Sequence, residues 1–293
     1  MSESSRAKKA LENPKNLARP LLKWAGGKRQ LLEQIRRRLP EEINTYYEPF
    51  VGGGAVFFAL CAEGRFKKAV LSDQNSELID TYCTVRDNVE GVIRELRKFR
   101  NEEEAYYEVR AQKPRSLVRR AARMIYLNRT GYNGLYRVNR SGQFNVPFGR
   151  YVRPNICDEE RLHGVSISLR GITLEVSDFE DIAKKCKRGD AVYFDPPYIP
   201  VTATAKFAEY HLKAFDDAEH QRLAHFYREL SARGVSVVLS NSDTPRSREL
   251  FGDCLHEFVS ARRSINSAPH KRGAISEILV YGGTTTTKRG KSL

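Results

Sequence analysis

The stretch NTYYEPFVGGGAVFFALCAEGRFKKAVLSD, residues 44–73, decides the architecture. NTYYEPF, rich in Tyr and Thr, predicts a strand that runs into the glycine turn VGGG. AVFFALCAEG predicts a helix closing on glycine, and KKAVLSD a second strand, so the segment is a βαβ unit. Gly52, Gly53 and Gly54 fall between strand and helix, where missing Cβ atoms let the backbone turn tightly and approach a ligand. Asp73 follows Gly54 by nineteen residues. An acid at that place in a nucleotide-binding α/β fold accepts hydrogen bonds from ribose hydroxyls. Position 57 is Phe, so the third glycine of a dinucleotide fingerprint is missing. An adenosine-containing ligand without a pyrophosphate is the expectation.

Outward from this unit the alternation continues. SELIDTYCTVRDN opens a helix, and ITLEV, AVYFD, VSVVLSN, LHEFVSA and SEILVYG predict further strands. A helix begins at Asp216 with Glu219 three residues on, and carries Leu223, Phe226, Tyr227 and Leu230 at helical spacing. From about residue 90 to 128 the pattern becomes helical and charged, and then gives way to TGYNGLYRVNRSGQFNVPFGRYVRP, dense in Gly, Asn, Arg and aromatics. The expected organisation is an open, mostly parallel sheet with helices on both faces, formed by residues 20–88 and 160–283. Residues 89–159 are an inserted helical module with a hairpin at about 130–150, and residues 1–19 and 284–293 are disordered ends.

Bulk properties narrow the partners. Fifty Lys and Arg against 36 Asp and Glu leave a formal charge of +14, which favours a polyanion. No apolar run is long enough for a bilayer, and the N-terminus has no apolar core of a secretory signal. Five cysteines at scattered spacings, without a C-x-x-C pair, fit neither a disulfide framework nor a zinc site. A cytoplasmic chain without metal or membrane is expected. No heptads are present, and a monomer is the expected state.

The stretch RGDAVYFDPPYIP, residues 188–200, carries the chemistry. A buried strand ends at Asp195, on the C-terminal edge of the sheet where open α/β folds bind ligands. Pro196 and Pro197 stiffen the turn and remove two backbone donors, and Tyr198 offers a flat face. Two acceptors beside a stacking platform suit an amino group on a planar ring. LLKWAGGKRQLL, residues 21–32, lacks the spacing of a phosphate loop, so an NTPase is disfavoured.

LLKWAGGK, EPFVGGGAVF, SDQN, YLNRTGYNGLYRVNRSGQFNVPFGRY, VYFDPPY, HLKAF and VVLSNSDT occur in an order that resembles the Dam-type (D12 class, alpha group) DNA adenine-N6 methyltransferases, over roughly residues 20–282. The resemblance implies a class I S-adenosylmethionine-dependent methyltransferase fold with a mixed seven-stranded sheet. It also implies S-adenosyl-L-methionine as cofactor, double-stranded DNA as partner, and a flipped adenine, typically in GATC, as acceptor. By position, Trp24, Lys28, Phe50, Gly52, Gly54, Asp73 and Asp195 match cofactor-site residues, and Asp195, Pro196, Pro197 and Tyr198 the catalytic motif.

In the family the segment from Thr130 is the target-recognition hairpin. Tyr132 matches an intercalating aromatic, Asn133 a residue near the orphaned base, Arg137 a base-reading arginine and Lys23 a further base contact. Asn139, Pro147 and Tyr151 complete the expected DNA-facing set of the hairpin. Arg119, Arg120, Arg123, Arg150 and Arg153 are candidates for phosphate contact, as are Arg262, Arg263, Lys271 and Arg272 in a basic loop between two antiparallel strands. Tyr136 departs from the smaller residue at its position in the family, and His211 is the one histidine near the DPPY region. The residues themselves also leave room for an amino-methyltransferase of RNA or of cytosine N4, or for a DNA-binding regulator without catalysis.

Overall fold

The computed structural model describes residues 19–24, 28, 31–201, 215–262 and 274–283. The expected N-terminal extension apart from Arg19, the tail from residue 284, His211, and Arg263, Lys271 and Arg272 of the basic loop lie outside the described residues.

After helix α1 (Leu32–Arg38), β1 (Ile43–Glu48) leads through the glycine turn into α2 (Ala55–Glu63) and β2 (Phe66–Asp73), the expected βαβ unit. β1 stops before Pro49, which has no amide hydrogen for a ladder. Helices α3 (Ser76–Asp87), α4 (Val89–Leu96), α5 (Glu103–Ala111) and α6 (Leu117–Thr130) follow, then the irregular hairpin and α7 (Glu159–Ser168). The remaining elements are β3 (Thr173–Val176), α8 (Phe179–Ala183), β4 (Ala191–Phe194), α9 (Asp217–Ala232), β5 (Ser236–Ser242), α10 (Pro245–Phe251), β6 (Leu255–Arg262) and β7 (Ala274–Gly282).

The seven strands form one sheet of order β3-β2-β1-β4-β5-β7-β6. β3 to β5 pair in parallel, and β7 runs antiparallel to both β5 and β6. This is the mixed seven-stranded class I architecture expected from the sequence.

Both faces of the sheet are covered, as a parallel sheet requires, and the period of two assigns residues to each. Tyr46, Tyr193, Val238 and Leu279 face one buried cluster, which also takes in Leu78, Val92, Ile93, Tyr106, Ile125 and Leu127. Helices α3 to α6 are therefore packed into the same apolar mass as the sheet. Their neighbours Tyr47, Val192, Phe194, Val237, Leu239 and Val280 face the other cluster, against Leu223, Tyr227 and Leu230 of α9 and Phe251 of α10.

Local chemistry sets the registers and ends. Asp190 is 1% exposed and accepts from the amides of Thr45 (3.1 Å) and Lys187 (2.9 Å), which ties the entry of β4 to β1. Asp216 caps α9 by accepting from the Glu219 amide, as its position predicts.

Helices α1, α7, α8 and α10 were not expected from the sequence. For α10 a signal is present in retrospect: Thr244 and Ser247 form a reciprocal capping box, with Pro245 at the first helical position.

Candidate active site and DNA-facing surface

The C-terminal ends of β1, β2, β3, β4 and β5 bring the site together. At the end of β1 the glycine turn is bent by positive φ at Gly52 (+45°) and Gly54 (+67°), a region that only glycine enters freely. Asp73, the last residue of β2, accepts from the Gly52 amide at 3.1 Å and from the Asn75 amide at 3.0 Å. The acid thus fixes the turn as well as standing at its mouth. Tyr82 of α3 donates to the Gly52 carbonyl at 2.8 Å from the other side. Trp24 closes over the turn, and a Cβ on Gly52 would lie 2.7 Å from its Cδ1.

Phe50 is half-buried and stacks at 5.7 Å on Phe179, which opens α8 after the loop that follows β3. Ser177, in the same loop, has a buried hydroxyl with no partner. The sequence reading did not single out Ser177, Asp178 or Phe179. Phe179 is 1% exposed and belongs with the sheet, whereas Asp178 binds Arg222 of α9 at 2.7 Å.

Asp195 follows β4 directly, and its side chain is 22% exposed. Lys28, 4% exposed, places its ammonium 2.7 Å from Asp195 Oδ1 and 4.4 Å from the centre of the Tyr198 ring. Ser240 of β5 donates to the same Asp195 oxygen at 3.2 Å and shares a 2.8 Å hydrogen bond with the hydroxyl of Tyr193. Burial pushes the Asp195 carboxyl above its ordinary range, and Lys28 and Ser240 oppose that shift. The turn itself is held by the Ile199 amide, which donates to Asn241 Oδ1 at 2.9 Å, while the Tyr198 hydroxyl donates to Glu277 at 2.7 Å. Pro196 is buried and Pro197 half-buried. The motif is a rigid elbow with one carboxylate, one cation and one aromatic face within contact of each other.

Glu48, at the end of β1, is a second carboxyl near this point, 2% exposed and absent from the sequence expectations. It accepts from Tyr46 Oη at 2.8 Å and from the Phe57 amide at 3.0 Å. Burial, above all, pushes it up to about 8. An acid inside a run of aromatics and glycines was the available signal.

The hairpin is anchored beside this edge. Asn128, 2% exposed near the end of α6, accepts from the Lys23 amide at 2.8 Å and donates to the carbonyls of Lys23 (2.7 Å) and Gly134 (2.9 Å). One buried amide therefore locks the backbone of Lys23 to the turn that holds Tyr132 and Asn133. A buried Asn within an apolar helical run, where its propensity is poor, marks such a role. Tyr132 is 44% exposed, and Asn133 sits in the left-handed region at φ 55°. The Tyr132 amide donates to the carbonyl of Pro147, and Lys23 lies over the ring of Tyr151 at 4.7 Å. Lys23, Tyr132, Asn133, Pro147 and Tyr151 are thus brought together.

Other candidates hold the hairpin itself. Arg137 donates from Nε to Asn145 Oδ1 at 2.8 Å, and Asn139 accepts from the amides of Ser141 (3.0 Å) and Gln143 (2.9 Å), which shapes the tip. Tyr136 stacks on Trp24 with centroids 5.4 Å apart and donates to Glu77 at 3.0 Å.

Arg119 and Arg150 are 67% and 78% exposed beside Glu95 and Glu103, so both keep their guanidinium groups toward solvent. Arg153 is exposed too, and Arg120 pairs with Asp80 at 2.9 Å. Arg123 corrects the phosphate expectation. It is 12% exposed and donates to the carbonyls of Val109 and Arg110 at the end of α5 and to Glu77, which leaves no outward fork. Arg262 ends β6, which pairs antiparallel with β7 as expected. Among the described residues no cluster of His, Cys, Asp and Glu could hold a metal ion, and no helix is long and apolar enough to cross a membrane.

A glycine turn, an acid ending β2 and a DPPY elbow on this sheet order define a class I S-adenosylmethionine-dependent methyltransferase. The model of the D12 class N6 adenine-specific DNA methyltransferases matches residues 24–265, and the chain belongs to that family. It is 42% identical over 284 residues to the Type II methyltransferase M1.LlaDCHI of Lactococcus lactis subsp. cremoris, with 93% of this chain and 99% of that one covered. It is 42% identical over 286 residues to the Type II methyltransferase M.MjaIII of Methanocaldococcus jannaschii, covering 89% and 98%. The DNA adenine methylase of Serratia marcescens is 39% identical over 269 residues, covering 89% and 97%.

Proposed function

We propose that the chain transfers a methyl group from S-adenosylmethionine to N6 of an adenine that is flipped out of a short duplex sequence, GATC, into the pocket at Asp195. The observation that carries this reading is the Lys28 ammonium, held between the Asp195 carboxylate and the Tyr198 ring. The elbow accepts a polar N–H group and faces it with an aromatic plane, which is what the amino edge of a purine presents.

The residues present fit the donor. Trp24, Phe50, the turn from Gly52 to Gly54 and Asp73 would hold its adenosine and amino-acid parts, and the unpartnered Ser177 hydroxyl lies in the loop beyond β3. Bound, S-adenosylmethionine supplies an electrophilic methyl on a sulfonium. Asp195 and the Pro196 carbonyl accept hydrogen bonds from the amino protons, which draws N6 out of conjugation with its ring. Tyr198 holds the purine plane, so orientation and electrostatics provide the acceleration. Lys28 moves aside as the amine takes its place on Asp195. The carboxylate, raised by burial, stands next to the proton that N6 sheds on methylation.

Lys23, Tyr132, Asn133 and Arg137 read and fill the duplex on the hairpin side, while Arg119 and Arg150 neutralise phosphates. Together with the formal charge of +14 this makes duplex binding steeply salt-dependent. The test is transfer of labelled methyl groups to duplexes that contain GATC or a one-base change of it, with the modified base identified, and with 2-aminopurine fluorescence at the target position as the readout of flipping. Label in N6-methyladenine of GATC alone is expected. Label on cytosine, on RNA alone, or on neither would overturn the reading.

A further inference from the structure

The Tyr198 side chain is restrained from the antiparallel part of the sheet. Its hydroxyl donates to Glu277 Oε2 at 2.7 Å. Glu277 lies on β7 and pairs in register with Ser242 of β5, two residues from Ser240, which bonds Asp195. A regular strand in the middle of a three-strand ladder holds the carboxylate, because β7 is bonded to both β5 and β6. The backbone of the elbow is fixed separately, by Asn241 on the Ile199 amide. Burial, with the nearby charge of Asp195, keeps the phenol well above its ordinary range, so it remains a neutral donor. The ring is half-buried, and a phenol without this bond would turn about its side-chain torsions.

We infer that Glu277 is a positioning residue for methyl transfer: its carboxylate anchors the Tyr198 hydroxyl and so aims the ring face at the place where the Lys28 ammonium now lies and where the everted purine stacks. The inference rests on the reading of Tyr198 as the base platform. It assigns the antiparallel strand, remote from the cofactor turn, a part in the acceptor half of the reaction.

The test compares the wild-type chain with E277A, E277Q, Y198F and the double variant E277A/Y198F. The measurements are kcat, KM for S-adenosylmethionine, and 2-aminopurine fluorescence at the target position. E277A should lower kcat about tenfold, equivalent to ~1.4 kcal/mol, with KM for the methyl donor unchanged. E277Q should recover most of the loss, since its amide oxygen accepts the same phenol proton. Y198F removes the bond from the other side and should fall by a similar factor. The double variant should fall no further than Y198F alone.

Unchanged kcat in E277A, or multiplicative losses in the double variant, would overturn the role of Glu277. Should E277A fail to fold, unchanged kcat in Y198F overturns it equally. A wild-type chain that transfers no methyl group would instead overturn the function proposed above and this inference with it, a result seen before any variant is compared.

Discussion

Replacing Glu48 by Gln isolates the cost of holding an acid inside the active edge. Glu48 is 2% exposed, and Tyr46 Oη at 2.8 Å and the Phe57 amide at 3.0 Å are neutral donors to the same oxygen. Loss of solvent is the largest influence on it. The Tyr46 hydrogen bond opposes that, the Asp195 charge adds to it, and the carboxyl is carried from 4.5 up to about 8. Between those values the folded chain keeps a proton that the unfolded chain has released. Stability from this group is therefore fully present below 4.5 and declines as pH rises, by about 1.4 kcal/mol per pH unit, until it levels off above 8.

Gln has the shape of the protonated acid and does not titrate, so the variant should show no such decline. Urea midpoints of both chains at pH 5, 6, 7, 8 and 9 measure the difference, at roughly these spacings so that each step is resolved against the ~10% error of extrapolation. Near pH 5 the two should agree closely. By pH 8 the variant should be ahead by a few kcal/mol, on the order set by the pH slope. His220, pushed down to about 4 by burial, is common to both chains and cancels. Parallel curves across the whole range would show that Glu48 is ionised in the folded protein, and would refute the account.

Three further outcomes follow from the same geometry. Asp195→Ala should reduce methyl transfer by at least ~10³-fold, on the scale of losing a preorganised electrostatic group, while duplex binding measured by anisotropy stays within a few-fold. Gly52→Ala sets a Cβ 2.7 Å from Trp24 at a positive φ. It should weaken retention of labelled S-adenosylmethionine and cost about 1–3 kcal/mol of stability, both measurable on the purified chain. Asn128→Leu removes the link between Lys23 and the hairpin turn and strands one buried and two part-buried backbone groups, so it should lower stability by about 1–3 kcal/mol and weaken duplex affinity more than cofactor affinity.

The elements that sequence revealed are those whose cause is local. Strands show themselves by apolar alternation or continuous burial, the glycine turn by its missing side chains, and the DPPY elbow by two adjacent prolines. What could not be read is carried by partners far apart along the chain. Ser240 reaches Asp195 across 45 residues and Glu277 reaches Tyr198 across 79, through the pairing of β5 with β7. Serine and glutamate on a strand are otherwise unremarkable. Arg123 of α6 departs from expectation for a related reason. Composition marks RRAAR as basic, but the direction of each guanidinium depends on which turn of α5 lies beneath it, and Arg123 meets two helix-end carbonyls there. Asn139 likewise has the chemistry for a base edge, yet its own loop takes its oxygen first.

Trp24 draws the two halves of the site into one structure. One edge of its indole meets the glycine turn closely enough that a methyl group on Gly52 would collide with it, and its face carries Tyr136 of the hairpin at 5.4 Å. Tyr136 in turn is held by Glu77, near the start of α3, which also receives Arg123 from α6. Lys23, the residue before Trp24, is locked to the hairpin turn by Asn128. A single short segment thus contacts the glycine turn through one residue and the hairpin turn through the one beside it. A smaller residue at position 136 would leave the outer face of Trp24 uncovered. The bulk of Tyr136 therefore has a packing reason in this chain that does not depend on reading bases, and the residues proposed for the cofactor and for DNA meet at adjacent side chains.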